Sequence, residues 1–182
     1  MANPVLFIQG GGEGAFEADR KLVASLRDHL GPDHVVLYPE MPDEDEADYE
    51  AWKQVIAAEL AALGENAVLV GHSIGGSVVL RAVVDGIGPG IAGLFVVSAP
   101  FWYDHDFWQW KEVALPEDAA DRIPEDLPVF LYHGLQDEFV PVAHVDMYAR
   151  VLPRATARRL DQRNHQLNDD LAEVARDIVQ LA

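Results

Sequence analysis

Short apolar runs alternate with helix-spaced segments along nearly the whole chain. The runs are "VLFIQ" (5–9), "HVVLYPE" (34–40), "NAVLVGHS" (66–73), "AGLFVVSAP" (92–100) and "PVFLYHG" (128–134), with a weaker "TARRLDQ" (156–162). Between and after them lie "EADRKLVASLRDHLG" (17–31), "DEDEADYEAWKQVIAAELAALG" (43–64), "GGSVVLRAVVDG" (75–86), "PVAHVDMYARVL" (141–152) and "NDDLAEVARDIVQLA" (168–182). A strand that feeds a helix and returns to a parallel neighbour needs a crossover, and crossovers in one sheet are right-handed. The pattern therefore predicts an α/β fold with a six-stranded, mainly parallel sheet and helices on both faces. At 182 residues the chain is long enough for one core and short for two, so 1–182 reads as a single domain.

One segment breaks the rhythm. Residues 101–127 separate the fourth and fifth runs and hold Phe101, Trp102, Tyr103, Phe107, Trp108 and Trp110. Connections of this length are often functional, as lids are. Two readings stand side by side: Trp102, Phe107 and Trp108 line a substrate pocket, or the rings complete the core.

The third run ends in "GHSIGG" (71–76). A G-x-S-x-G sequence between a strand and a helix is the setting of a nucleophile elbow, where small residues relieve crowding in a sharp turn. Ser73 would stand clear of the sheet edge, with the Ile74 amide able to point at an oxyanion. A serine hydroxyl is a weak nucleophile and needs a base, itself held by a third group. On this topology they should follow in the order serine, acid, histidine. "LYHGLQDEFVP" puts Asp137 past the fifth run, and "LDQRNHQLNDD" puts His165 past the sixth. Asp137 could instead be a turn or cap residue. Asp161 is a rival acid, and His72, His133 and His144 are rival bases.

The first run ends in "QGGGEG" (9–14). The Walker pattern is absent and Glu13 would repel pyrophosphate, so backbone donation to an oxyanion, from Gly11, fits better than a phosphate cradle. There is no cysteine, which excludes disulfides and thiolate chemistry. No H-E-x-x-H occurs, and Asp104, His105 and Asp106 are consecutive, so they cannot all face one ion. "DEDE" (43–46) lacks calcium-loop spacing and reads as a solvated helix start. No metal or cofactor is expected. The net charge of −18 disfavours nucleic acid and anionic membranes as partners. The N-terminus has no basic region before Arg20 and no apolar run of spanning length, so a cytoplasmic location is expected.

The chain resembles the α/β-hydrolases, and among them the compact serine hydrolases of the retinoblastoma-binding protein nine family. The matching pieces, between residues 38 and 178, are "YPEMP" with Trp52, "GHSIGG", "VVSAPFW", "HGLQDEFVP" and "HQLNDDLAEVARDI". The resemblance implies strand order 2-1-3-4-5-6. It also implies Ser73 as nucleophile, Asp137 as acid and His165 as base, acting on a small-molecule ester or related acyl substrate. The sequence departs in three places. The first loop is not an HG-type start, Asn164 precedes His165 where many hydrolases have glycine, and no L-x-C-x-E motif exists. An amidase or peptidase with the same residues, or a catalytically silent binding module, would share this pattern.

Overall fold

A computed structural model of the chain describes residues 3–103 and 107–181; Asp104, His105 and Asp106 lie outside the described residues. Its strands are β1 (Val5–Ile8), β2 (Val36–Leu37), β3 (Val68–His72), β4 (Gly93–Val97), β5 (Val129–Gly134) and β6 (Thr156–Leu160). They form one sheet in the order β2-β1-β3-β4-β5-β6, and each neighbouring pair is parallel. Residues facing each other across the register include Ile8 and Gly71, His72 and Val97, and Gly134 and Leu160. The carboxyl ends of β1, β3, β5 and β6 therefore open on one edge.

The longer helices are α1 (Ala15–Leu30), α2 (Tyr49–Leu63), α3 (Ser73–Val84), α5 (Ala143–Val151) and α6 (Ala172–Val179); α4 (Ala119–Arg122) is a single turn. Alternation along the strands sends side chains to opposite faces. Val5, Phe7, Val68, Val70, Phe95 and Val97 pack with Leu22 and Leu26 of α1 and Val174 and Ile178 of α6. Leu6, Ile8, Leu69, Leu94 and Val96 pack with Trp52 and Ile56 of α2, Val79 and Val83 of α3, and Val145 and Tyr148 of α5. β1, β3 and β4 are buried throughout, which explains their unbroken apolar runs. Burying each large apolar side chain contributes about 1.5–3 kcal/mol, and truncating one to Ala would cost ~2–5 kcal/mol.

Three segments differ from the sequence reading. "HVVLYPE" supplies only Val36 and Leu37 to the ladder, a blunt sheet edge. The helix expected from residue 43 begins at Tyr49, where Asp48 caps it by accepting the Ala51 amide at 2.8 Å; Glu44–Glu46 form a separate 3₁₀ turn. The last helix begins at Ala172, because Leu167, Asn168 and Asp169 take positive φ in a tight 3₁₀ turn. Among the described residues, no helix is long and apolar enough to cross a membrane.

The 101–127 segment divides its roles. Val113, Ala119 and Ile123 are buried in the core beside α3 and α5. Arg154 donates to the carbonyls of Ala120 and Ile123, and Arg81 donates to that of Ala114. The leading part, with Trp102 and Trp108, reaches the edge of the sheet where the strands' carboxyl ends open.

Candidate active site

β3 runs directly into α3, and the turn holds Ser73 at φ 50°. A non-glycine residue in this conformation costs ~1–3 kcal/mol and persists only where its surroundings enforce it. The glycines around it show how tight the turn is. A Cβ on Gly75 would lie 2.0 Å from the Gln9 carbonyl oxygen, and one on Gly71 would lie 2.5 Å from the Gly75 carbonyl oxygen. Strand β1 and helix α3 can approach this closely only without side chains there, which is why "GHSIGG" reads as it does.

Ser73 Oγ lies 3.0 Å from His165 Nε2, and His165 Nδ1 lies 2.8 Å from Asp137 Oδ2. A carboxylate only accepts, so the imidazole proton sits on Nδ1 and the Nε2 lone pair faces the Ser73 hydroxyl. Asp137 is itself fixed. Its Oδ1 accepts the amides of Phe139 at 2.9 Å and Val140 at 2.8 Å. His133 Nε2 donates to the Val140 carbonyl at 2.8 Å and stands 3.2 Å from Asp137 Oδ2. Burial alone would raise the Asp137 pKa, but His133, His165 and the Val140 amide outweigh it and hold the carboxyl well below the usual range. The His165 amide donates to Glu138 Oε2 at 3.1 Å. The loop carrying His165 reaches Asp137 by crossing over Gly134, where a Cβ would lie 2.2 Å from the Arg163 carbonyl oxygen.

The rivals fall elsewhere. Asp161 is exposed and accepts the Gln162 amide, while Arg159 pairs with Asp146 and Arg163 with Asp170 and Glu173. His133 holds the Asp137 loop. His144 Nδ1 accepts the Phe101 amide at 2.8 Å and its ring packs on Trp108. Burial, then the nearby His133, lowers the His144 pKa to about 4, so the ring stays neutral and able to accept. His72 points away from Ser73 into the interior.

Ser73 and His165 open onto a cleft of about 600 Å³. One wall is the glycine loop, Gly10–Gly14; Ile74, Pro100, Trp102, Trp108 and Phe139 supply apolar surface. Trp102 meets Trp108 edge-on at 5.9 Å, and Phe139 meets the His165 ring edge-on at 5.3 Å. Phe107 does not join them: it is 84% exposed and turned to solvent, so the expectation that it lines the pocket is corrected. The "DEDE" run also acts differently from its sequence reading. The Glu44 carboxylate accepts the amides of Gly14 and Phe16 and the Gln9 side chain, each at 2.7 Å, and the Glu44 carbonyl accepts the Gly12 amide. The amides of Gly10, bonded to Asp19, and of Gly12 are occupied, whereas Gly11 lines the cleft and its amide has no acceptor among the described residues. The Ile74 amide belongs to the first turn of α3, where backbone donors have no intrahelical acceptor. Among the described residues, no cluster of His, Asp or Glu could hold a metal ion.

The sequence reading missed Asp19, Glu44 and Glu138 as members of this site. Asp19 had a usable signal: it sits on the same helical stripe as Leu22, Val23 and Leu26, and a charge on a buried face needs a partner.

The sequence profile described as "Alpha/beta hydrolase family" matches residues 5–180. No curated protein matches. Solved structures with a similar backbone include the esterase domain of a Rhodothermus marinus protein (TM-score 0.70, 18% identity, 97% of this chain and 84% of that one). SOBER1 from Arabidopsis thaliana gives 0.72 and 18%, covering 100% and 99%. Est1E from Butyrivibrio proteoclasticus gives 0.71 and 18%, covering 98% and 86%. At such identities the likeness is one of fold.

Proposed function

This chain belongs to the alpha/beta hydrolase family, and from that premise we propose that it is a serine hydrolase that cleaves a carboxylic ester through an acyl-enzyme. The observation that carries this reading is the hydrogen-bonded chain from Ser73 Oγ through His165 to Asp137. His165 Nε2 takes the Ser73 proton as Oγ attacks the carbonyl carbon. Asp137 keeps the imidazole in the required tautomer and stabilises the imidazolium that forms. The amides of Gly11 and Ile74 donate to the oxyanion, each such donor being worth ~2.7–4 kcal/mol in the transition state. As the tetrahedral species collapses, His165 passes the proton to the departing alkoxide. Water, activated by the same Nε2, then releases the acid and restores Ser73. Ile74, Pro100, Trp102, Trp108 and Phe139 suit an apolar acyl or alcohol group. Relatives named as esterases agree with this chemistry without assigning a substrate.

The test is labelling by a fluorophosphonate probe together with hydrolysis of p-nitrophenyl esters. Wild-type protein should be labelled on Ser73 and should turn over an activated ester; Ser73→Ala should do neither. A folded wild-type protein that resists the probe would instead be a binding module on this fold.

A further inference from the structure

His72 is a buried titratable group that the ester chemistry leaves unused. It is 1% exposed, beneath Ser73. Nδ1 lies 2.9 Å from Asp19 Oδ2, and Nε2 lies 3.1 Å from the carbonyl oxygen of His165. A carboxylate and a carbonyl can only accept, so both ring nitrogens must donate, and only imidazolium carries two N–H groups. We propose that Asp19 and His72 form a buried ion pair that positions His165 against the glycine loop, and that it does so only while His72 keeps both protons. The role in catalysis rests on the reading of Ser73 and His165 as the reacting pair.

The pair gathers separate parts of the site. Asp19, on α1, also accepts the Gly10 amide at 2.8 Å through Oδ2, and the Gln166 side chain at 3.1 Å through Oδ1. One carboxylate thus ties the glycine loop and the loop after β6 to the residue preceding Ser73. A buried ion pair is weak evidence for stability, because apolar residues of similar volume pack as well. What it supplies here is direction: two donors aimed at two fixed acceptors. The charged groups facing His72 are Asp19 from α1 and Asp137 from the loop after β5, and the His165 ring from the loop after β6 lies beside it. Burial would lower the His72 pKa, but the Asp19 charge and hydrogen bond, with the His165 carbonyl and Asp137, raise it. A raised histidine stabilises the fold fully below its unfolded value of about 6.5 and loses that contribution as pH rises through its folded value. The positioning is therefore lost on the alkaline side.

The experiment titrates full-length protein, labelled uniformly with ¹⁵N, by two-bond proton–nitrogen correlation of the histidine rings and by the backbone amide spectrum. The rate of Ser73 labelling by a fluorophosphonate is measured over the same range. At neutral pH both His72 nitrogens should be protonated. The Gln166 amide, which shares a peptide group with the His165 carbonyl, should shift with the midpoint of His72. Labelling should fall at that midpoint by ~10²-fold, the loss that about 1 Å of misplacement brings. Asp19→Asn should move all three transitions to lower pH together. A singly protonated His72 at neutral pH overturns the proposal; so does a Gln166 amide or a labelling rate that ignores the titration of His72. The wild-type titration decides the matter even if Asp19→Asn does not fold. If Ser73 is unreactive at every pH, the hydrolase reading fails, while the His72 and Gln166 signals still decide the ion pair.

Discussion

Replacing Asp137 by Asn isolates what the carboxylate does. The amide must choose an orientation. Asp137 Oδ1 accepts two backbone amides, from Phe139 and Val140, so the Asn oxygen belongs there. Turned the other way, its NH₂ would face two N–H donors and leave both without an acceptor. The NH₂ therefore lies against His165 Nδ1, where it can only donate. His165 must then carry its proton on Nε2 and present N–H, not a lone pair, to Ser73 Oγ. The base is lost with almost no change of shape. A triad acid converted to its amide costs ~10⁴ in kcat, which corresponds to about 5.4 kcal/mol of transition-state stabilisation. Stability should fall far less, by about 1–3 kcal/mol, because the two backbone bonds survive while the charge-assisted ones go. The assay is kcat on one activated ester, with folding checked by circular dichroism and urea midpoint. Asp161→Asn is the control. That residue is exposed and touches only its own turn, so its kcat should stay within about twofold. If Asp137→Asn keeps kcat within about tenfold of wild type, or if Asp161→Asn is the crippled variant, the tautomer argument is wrong.

Two further outcomes are expected. Trp108→Ala should reorder the kcat/KM values of p-nitrophenyl esters of increasing chain length. It should cost less stability than the ~3–5 kcal/mol of a buried tryptophan, since the ring is half-buried; an unchanged order would make it structural. His144 should destabilise the fold in acid. Its contribution is intact above the unfolded value of about 6.5 and is lost as pH falls toward the folded value of about 4, a span worth roughly 3 kcal/mol. His144→Asn, which can still accept the Phe101 amide, should flatten that part of the pH profile of urea midpoints; an unaltered slope would refute the assignment.

Much of this fold can be read from the chain because β1, β3 and β4 are buried on both faces. Runs such as "VLFIQ" and "NAVLV" could each be strand or buried helix, but their alternation with helix-spaced segments selects strands, and "GHSIGG" marks where one such run must turn sharply. Asp137 and His165 are legible for another reason: each follows a strand end on the edge that Ser73 occupies. The misreadings come from partners distant in sequence. Glu44 looks like the start of a helix until Gln9, Gly14 and Phe16, about 30 residues earlier, supply three donors to its carboxylate. His72 and Asp19 meet across 53 positions, and no local pattern announces it. Phe107 belongs by composition with Trp102 and Trp108, yet hydrophobicity does not say which ring of a cluster faces water.

The aromatic segment is fastened to the body by bonds at its ends: the Phe101 amide to His144, and Arg81 and Arg154 to carbonyls from residues 114–123. Among the described residues, the hydrogen bonds joining Ser73, His165 and Asp137, and those bracing Asp137, involve none of it. On the proposed function, the aromatic wall of the cleft and the hydrogen-bonded chain from Ser73 to Asp137 are therefore separable by inheritance. Under that proposal, a lineage could vary the cleft-lining Trp102 and Trp108, by recombination or by drift, and change substrate without relearning chemistry. In a laboratory the same two positions are the place to randomise first, since none of the hydrogen bonds joining Ser73, His165 and Asp137 runs through them.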